Sequence, residues 1–464
     1  MSSNRFIYQI LLLITSILVT YTVSAQKVIS LEEAIYLAKQ NDPWLQSNRL
    51  EQQAIEDRSI AAGTLPDPKL SLGVVNLPSD TWQFDQEGMT QFKVGVSQMF
   101  PRGDSLEIKQ QQLKIAANKY PLLREDRKAK VTKLISEIWL DAFLAQHTIN
   151  LIKKDWDLFE QIADVAEANY SNTVGKTRQQ DVIRAQLEIT QLEDRLTVEQ
   201  LKLDTSIARL NEWLHIFEND YLDSSYDFDK LEQSFFVSDQ LPVISLIYEE
   251  LLQQDKLSRN ELAHRLVSHP AIMAVEVKKQ VSKKAVELAR QKYSTQWGVN
   301  ASYSYRDDMP TGDDRADLFS IGITFDLPLF TDNRQDKEVS ASIAQAEAIR
   351  TEKFLMTRQM ISAIEKEIKE INRLDQRQQI YQELLLKQSN NQAIASLSAY
   401  TNDDGDFAEV VRARIAELNA KIAALKITVD KTKSIARLNY LLIQHQSPHL
   451  TKILKNQAQS NGEY

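Results

Sequence analysis

The sequence predicts a mainly α chain with a β-barrel portion, and three observations carry that expectation. Long stretches lack helix breakers: no glycine lies between Gly103 and Gly175, and neither glycine nor proline between Pro328 and Gly405. Four short segments alternate apolar and polar residues with period two. The whole pattern then occurs twice.

The N-terminus comes first. Arg5 is the only charge before the apolar run Phe6 to Val19, and Val23-Ser24-Ala25 is a small-residue cleavage site. This layout predicts a secretory signal peptide over residues 1–25, with a membrane anchor as the alternative. Removing 25 of the 464 residues leaves 439, room for more than one domain. The chain has no cysteine, so an exported form has neither disulfides nor a lipidation site. Its net charge of −9 and lack of a long basic stretch give nucleic-acid binding little support.

The breaker-free stretches are rich in Ala, Glu, Gln, Lys and Leu and predict very long helices. About 70 residues at ~1.5 Å each would reach roughly 100 Å. Ile135, Ile138, Ala142, Ala145, Ile149, Ile152, Trp156, Phe159, Ala163, Ala166 and Tyr170 alternate spacings of three and four, as knobs-into-holes packing requires. Val411, Ile415, Leu418, Ile422, Leu425 and Val429 repeat the seam.

The period-two segments predict strands at about 69–76, 90–99, 297–306 and 318–326. In one, Trp297, Val299, Ala301, Tyr303 and Tyr305 alternate with Gly298, Asn300, Ser302 and Ser304. A soluble half-buried sheet would look similar strand by strand. Two such hairpins between very long helices favour a transmembrane barrel.

The halves match at a nearly constant offset. Pro43 pairs with Pro270, Gly95 with Gly322 and Pro101 with Pro328, all 227 apart. Ser206-Ile207-Ala208-Arg209-Leu210-Asn211 recurs identically as Ser434-Ile435-Ala436-Arg437-Leu438-Asn439, 228 apart. The expected organisation is a first repeat over 26–220, a linker over 221–268 packing as its own small region, a second repeat over 269–445 and a polar tail over 446–464. Each repeat reads helix, β-hairpin, long helix, turn, helix. A chain supplying four strands leaves open edges that lipid does not tolerate, and a closed barrel needs about eight. Oligomerisation follows if these strands cross a membrane.

At this point the sequence resembles the TolC-like outer-membrane efflux proteins. The resemblance runs from about Ile29 to Gln444. It rests on Ala34-x-x-Leu37-Ala38 with Asp42-Pro43, on the strand end Gln98-Met99-Phe100-Pro101, and on Tyr170-Ser-Asn-Thr-Val-Gly175 leading into Asp181-Val182. It implies a homotrimer whose twelve strands close an outer-membrane barrel continued by a periplasmic α-helical barrel. It further implies an exit duct of a tripartite efflux pump in a Gram-negative cell, docked to a periplasmic adaptor and an inner-membrane pump of the RND type. The turns around Tyr170, Gly175 and Asp181, and around Tyr400, Asp403, Asp404, Gly405 and Asp406, would form the periplasmic tip and gate. Gly175 and Gly405 are expected to supply positive φ for helix reversal. The second turn is acidic and differently spaced from the first, so the tips are not equivalent. Gly63-Thr64-Leu65-Pro66-Asp67-Pro68 with Asn76-Leu77-Pro78 is similar to the heavy-metal efflux branch.

No catalytic constellation is present, and neither enzyme activity nor a cofactor is expected. His445 and His449 flank Pro448 and read as a solvated tail, while Met356 and Met360 read as core. The competing class is a non-channel periplasmic coiled-coil scaffold or surface protein, which needs neither period-two strands nor a duplication.

Overall fold

A computed structural model describes residues 27–171, 179–214, 235–253, 258–402 and 405–445. The expected signal peptide, Gly175, Asp403, Asp404 and the tail from residue 446 lie outside the described residues. In chain order the elements are β1 (Lys27–Ile29), α1 (Leu31–Gln40), α2 (Pro43–Ala62), β2 (Lys69–Val75), β3 (Gln91–Phe100), α3 (Ser105–Ala117), α4 (Lys119–Ser171), α5 (Gln179–Leu214), β4 (Phe235–Val237), α6 (Glu250–Gln253), α7 (Arg259–Leu266), α8 (Pro270–Arg290), β5 (Gln296–Tyr305), β6 (Leu318–Asp326), α9 (Gln335–Ile380), a π turn (Tyr381–Leu385), α10 (Leu386–Thr401) and α11 (Phe407–Leu442). No helix among the described residues is long and apolar enough to cross a membrane.

Two compact units share these elements. One comprises Met1–Asn41, Leu134–Ile244 and Gln376–Lys433; the other comprises Asp42–Lys133, Ser245–Asp375 and Ser434–Tyr464.

Of the 53 residues of α4, those from Leu134 onward belong to the first unit. Its heptad seam is inside: Ile135, Ile138, Ala142, Ala145, Ile149, Ile152 and Phe159 are all buried. Burial extends beyond the seam to Trp139, Leu140 and Phe143. The cause is a two-stranded parallel sheet of β1 and β4 laid over this stretch. Trp139 Nε1 donates to the Ile29 carbonyl at 3.2 Å, and Gln146 Nε2 donates to that of Val237 at 3.3 Å. Further along, Ile152, Phe159, Leu192 of α5 and Leu418 of α11 form one apolar cluster.

In the second unit, α2 and α8 each begin with a proline, whose fixed φ and missing N–H suit a first helical turn. The core brings Leu251, Leu262, Leu266 and Ile272 against Ile364, Ile368 and Ile371 of α9 and Leu438 and Leu441 of α11. Apolar residues at helical spacing in α7 dock into that core, and β4 pairs with β1 in the other unit's sheet. Met360 is buried there with Met356 packed beside it, as core residues. The solvated reading of His445 is corrected: its backbone N–H donates to the Ser268 carbonyl at 2.9 Å. Its buried ring meets Glu125 at 2.5 Å.

Candidate membrane sheet and helical tip

The four long strands form one antiparallel sheet in the order β2-β3-β5-β6. Register places every alternation in phase. Leu70, Val96, Ala301 and Ile321 line up across the strands, as do Leu72, Val94, Tyr303 and Phe319. The rows between them run Ser71, Gly95, Ser302 and Ser320. One face is therefore apolar apart from Gln98, and the other is mainly serine, glycine, asparagine and threonine with Lys93, joined by Val75, Met99 and Leu318. Among the described residues nothing else in the second unit covers the apolar face: Leu70 is 66% exposed, and Phe319 and Ile321 are each 71% exposed. A water-soluble sheet would bury that side.

The apolar face is itself banded. At the end leading into the helices, Phe100, Trp297 and Phe325 share a row, with the Phe100 and Trp297 rings stacked 4.1 Å apart. At the loop end come Phe92, Tyr303, Tyr305 and Phe319. Aliphatic Val96, Val299, Ile321 and Ile323 fill the middle. Tyr305 to Trp297 is eight residues, or ~26 Å along the strand at ~3.3 Å each. Aromatic girdles flanking an apolar band about 25 Å tall are the surface a bilayer selects. The outer strands β2 and β6 pair with no further described strand, so both edges of the sheet are open.

Beyond the loop end, two arginines stitch the connections between strands. Arg306 donates to the Ala316 carbonyl at 2.5 Å and to that of Gly88 at 3.4 Å. Arg315 Nη1 donates to the carbonyls of Asp85 and Glu87. Sequence reasoning missed both, because a lone arginine in a loop carries no signal of the second loop it reaches.

Of the expected tip residues, Tyr170 lies in the last turn of α4 and Asp181 in the first turn of α5. Tyr400, Gly405 and Asp406 come together where α10 reverses into α11. The Tyr400 ring meets Phe407 edge-on at 5.6 Å, and Phe407 is buried with Ala185, Val410 and Val411. Phe407 was not singled out from sequence, although an apolar residue directly after the acidic run was the available signal. Asp406 accepts a hydrogen bond from the Ala408 N–H at 3.1 Å, capping α11. Gly405 corrects the positive-φ expectation: left-handed glycines among the described residues are Gly103 and Gly312. A side chain at Gly405 would instead meet the Tyr400 backbone nitrogen at 2.6 Å, so the turn needs glycine for close approach.

No protein-family model matches the sequence, and no curated relative matches it. Solved structures do share its fold. The CmeC outer membrane channel of Campylobacter jejuni is similar over 92% of this chain and 89% of its own, with a TM-score of 0.70 at 14% identity. The outer membrane protein VceC of Vibrio cholerae is similar over 90% of this chain and 97% of its own, with a TM-score of 0.70 at 13% identity. The open-state MtrE outer membrane channel of Neisseria gonorrhoeae covers 89% of this chain and 88% of its own, with a TM-score of 0.66 at 13% identity.

Proposed function

We propose that this chain, which has the fold of the TolC-like outer-membrane channels, is the outer-membrane exit duct of a tripartite efflux system. The observation that supports it most is the four-stranded sheet with an aromatic-girdled apolar face, a small polar face and two open edges. Threefold closure of β6 of one protomer on β2 of the next makes a twelve-stranded barrel and leaves no edge in lipid. The polar face then lines the lumen, and residues 1–25 serve as the export signal. The helices continue the duct through the periplasm toward an adaptor and an inner-membrane pump of the RND type. A coiled-coil scaffold gives no account of the sheet.

The tip reading belongs to this proposal. Tyr170, Gly175, Asp181, Tyr400, Asp403, Asp404, Gly405 and Asp406 form the periplasmic entrance, and the acidic turn gives it a preference for cations. Replacing Asp403, Asp404 and Asp406 with asparagine should lower cation selectivity of the trimer in planar bilayers. Unchanged selectivity would remove these residues from the pore.

The decisive experiment is paired substitution in β6. Ile321→Arg places a charge on the lipid side, costing about 2–4 kcal/mol near the midplane. Ser320→Arg points into the lumen and should still yield outer-membrane trimer. Equal yields of the two variants would refute the membrane assignment.

A further inference from the structure

Two helix faces in the first unit have the pattern of a coiled-coil seam but no partner among the described residues. On α5, Ala185, Leu192 and Leu210 are buried. A second stripe on the same helix stays exposed: Ile183 is 58% exposed, Leu187 52%, Val198 42% and Leu201 66%. Its spacing, Ile183, Leu187, Thr190, Asp194, Val198 and Leu201, alternates close to three and four. On the α9 to α10 helix, Ile380, Leu384 and Ile394 are exposed as well. With Lys387 and Asn391 they form the series Ile380, Leu384, Lys387, Asn391, Ile394. Both stripes are apolar at their ends and polar in the middle.

Helix α11 touches both helices and acts as a ruler between them. On one side Arg195 of α5 donates to Asn419 at 2.6 Å, and Ala185 packs with Val410 and Val411. On the other side Gln378 donates to Thr428 at 3.4 Å, and Tyr400 packs on Phe407. α5 and α11 ascend together while α10 descends. Stepping from these contacts puts Leu187 level with Ile394, Asp194 with Lys387, Val198 with Leu384, and Leu201 with Ile380. Apolar residues thus meet apolar ones, and the central acid meets the central base. Neither Asp194 nor Lys387 has an ion-pair partner among the described residues, and both are exposed.

We infer that these stripes are the two halves of one intersubunit seam, in which α5 of one protomer packs antiparallel against α9 and α10 of the next, with Val198 on Leu384 and Asp194 paired to Lys387. A heterologous contact between two different faces generates a ring when its rotation closes. Rotation about an axis along the helices leaves height unchanged, so the levels read within one chain hold between neighbours. The inference rests on the trimeric duct reading and adds the faces and the register.

The chain has no cysteine, which makes the test direct. Full-length protein carrying Val198→Cys and Leu384→Cys is treated in the outer membrane with a short bis-maleimide and run on a denaturing gel. Covalent dimers and trimers are expected, with none from either single variant. Pairing Val198→Cys with Ile394→Cys should give none, because ten residues along a helix is about 15 Å. In this cross-linking background, Asp194→Lys should reduce the cross-linked fraction severalfold, and adding Lys387→Asp should restore it. Native mass measurement separates the readings. A trimer that fails to link 198 to 384, or links 198 to 394 equally well, overturns the seam and spares the duct. A stable monomer in the outer membrane overturns both.

Discussion

Asp42 and His269 stand 227 positions apart, each before a proline that opens a helix. Both cap that helix: Asp42 accepts from the Trp44 N–H at 3.1 Å and His269 from the Ala271 N–H at 3.2 Å. Their surroundings differ. The Asp42 carboxylate, 2% exposed, is paired with Arg127 at 2.7 Å. The residue 227 beyond Arg127 is Phe354, so the second site has no counterpart of that arginine. His269, fully buried, serves as a neutral cap whose Nε2 faces the Tyr440 carbonyl at 3.1 Å. A buried charge brings its counter-ion, and a site without one uses a neutral group.

The identical hexapeptides teach the same lesson. Arg437 is held by Glu367 at 2.9 Å and by Ser434 at 2.8 Å. Asn439 accepts from the Ile247 N–H at 2.9 Å and donates to the Ser245 carbonyl at 2.8 Å. In the first copy, Arg209 is exposed with no ion-pair partner among the described residues, and the buried Asn211 side-chain oxygen has no hydrogen-bond partner among them. Six identical residues thus acquire different roles from what packs beside them.

Substitutions at these paired sites would break or sharpen the comparison. His269→Asp puts a carboxylate into a buried site near Asp126 without an arginine and should cost about 3–5 kcal/mol. Thermal unfolding in detergent measures it, and an unchanged midpoint would show that Lys130 supplies the missing charge. Asp42→His should cost less, about 1–2 kcal/mol, because Arg127 is 32% exposed and remains partly hydrated. Arg437→Ala strands the buried Glu367 carboxylate, leaving the exposed Lys366 beside it at 3.2 Å. Its cost of about 2–3 kcal/mol contrasts with a change within about 0.5 kcal/mol for Arg209→Ala. Asn439→Ala should cost about 1–2 kcal/mol through the two backbone groups it leaves. Asn211→Ala should be neutral.

The smallest expected effect is on pH. Burial pushes the His269 imidazole below its ordinary value of 6.5, against the opposing pull of the Tyr440 carbonyl and Asp126. The unfolded chain therefore binds the proton first. The contribution of His269 is complete above about pH 6.5 and declines as pH falls from there toward the lowered folded value. His269→Asn should flatten that part of the stability curve, and an unaltered acid limb would assign it to other groups.

Helices and strands were legible because their cause is local. The alternation from Trp297 to Tyr305 marks a strand observed at Gln296–Tyr305, and the seam from Ile135 to Phe159 is buried, with Trp156 half-buried, as its period requires. Burial of Trp139 and Phe143 was not legible, because β1 and β4 cover them from more than 90 residues away in sequence. His445 looked free beside Pro448, since nothing in the tail announces Glu125. Between α10 and α11, Gly405 was foreseen for the wrong reason: sequence shows that a side chain is missing, whereas close approach to Tyr400 is a property of packing.

The π turn at Tyr381–Leu385 sits inside an otherwise regular helix. Its wider hydrogen-bonded loop holds one residue more than an α turn needs. That surplus is a slack link in a long, phase-locked rod. Elsewhere in α9 or α10, deleting one residue turns everything downstream by about 100°, moving Ala393 and Ser396 out of their packed positions. Deleting Gln382 instead should close the π turn into plain α-helix and leave the downstream phase intact. Changes of length in this helix should therefore be tolerated within one turn and rejected along the rest.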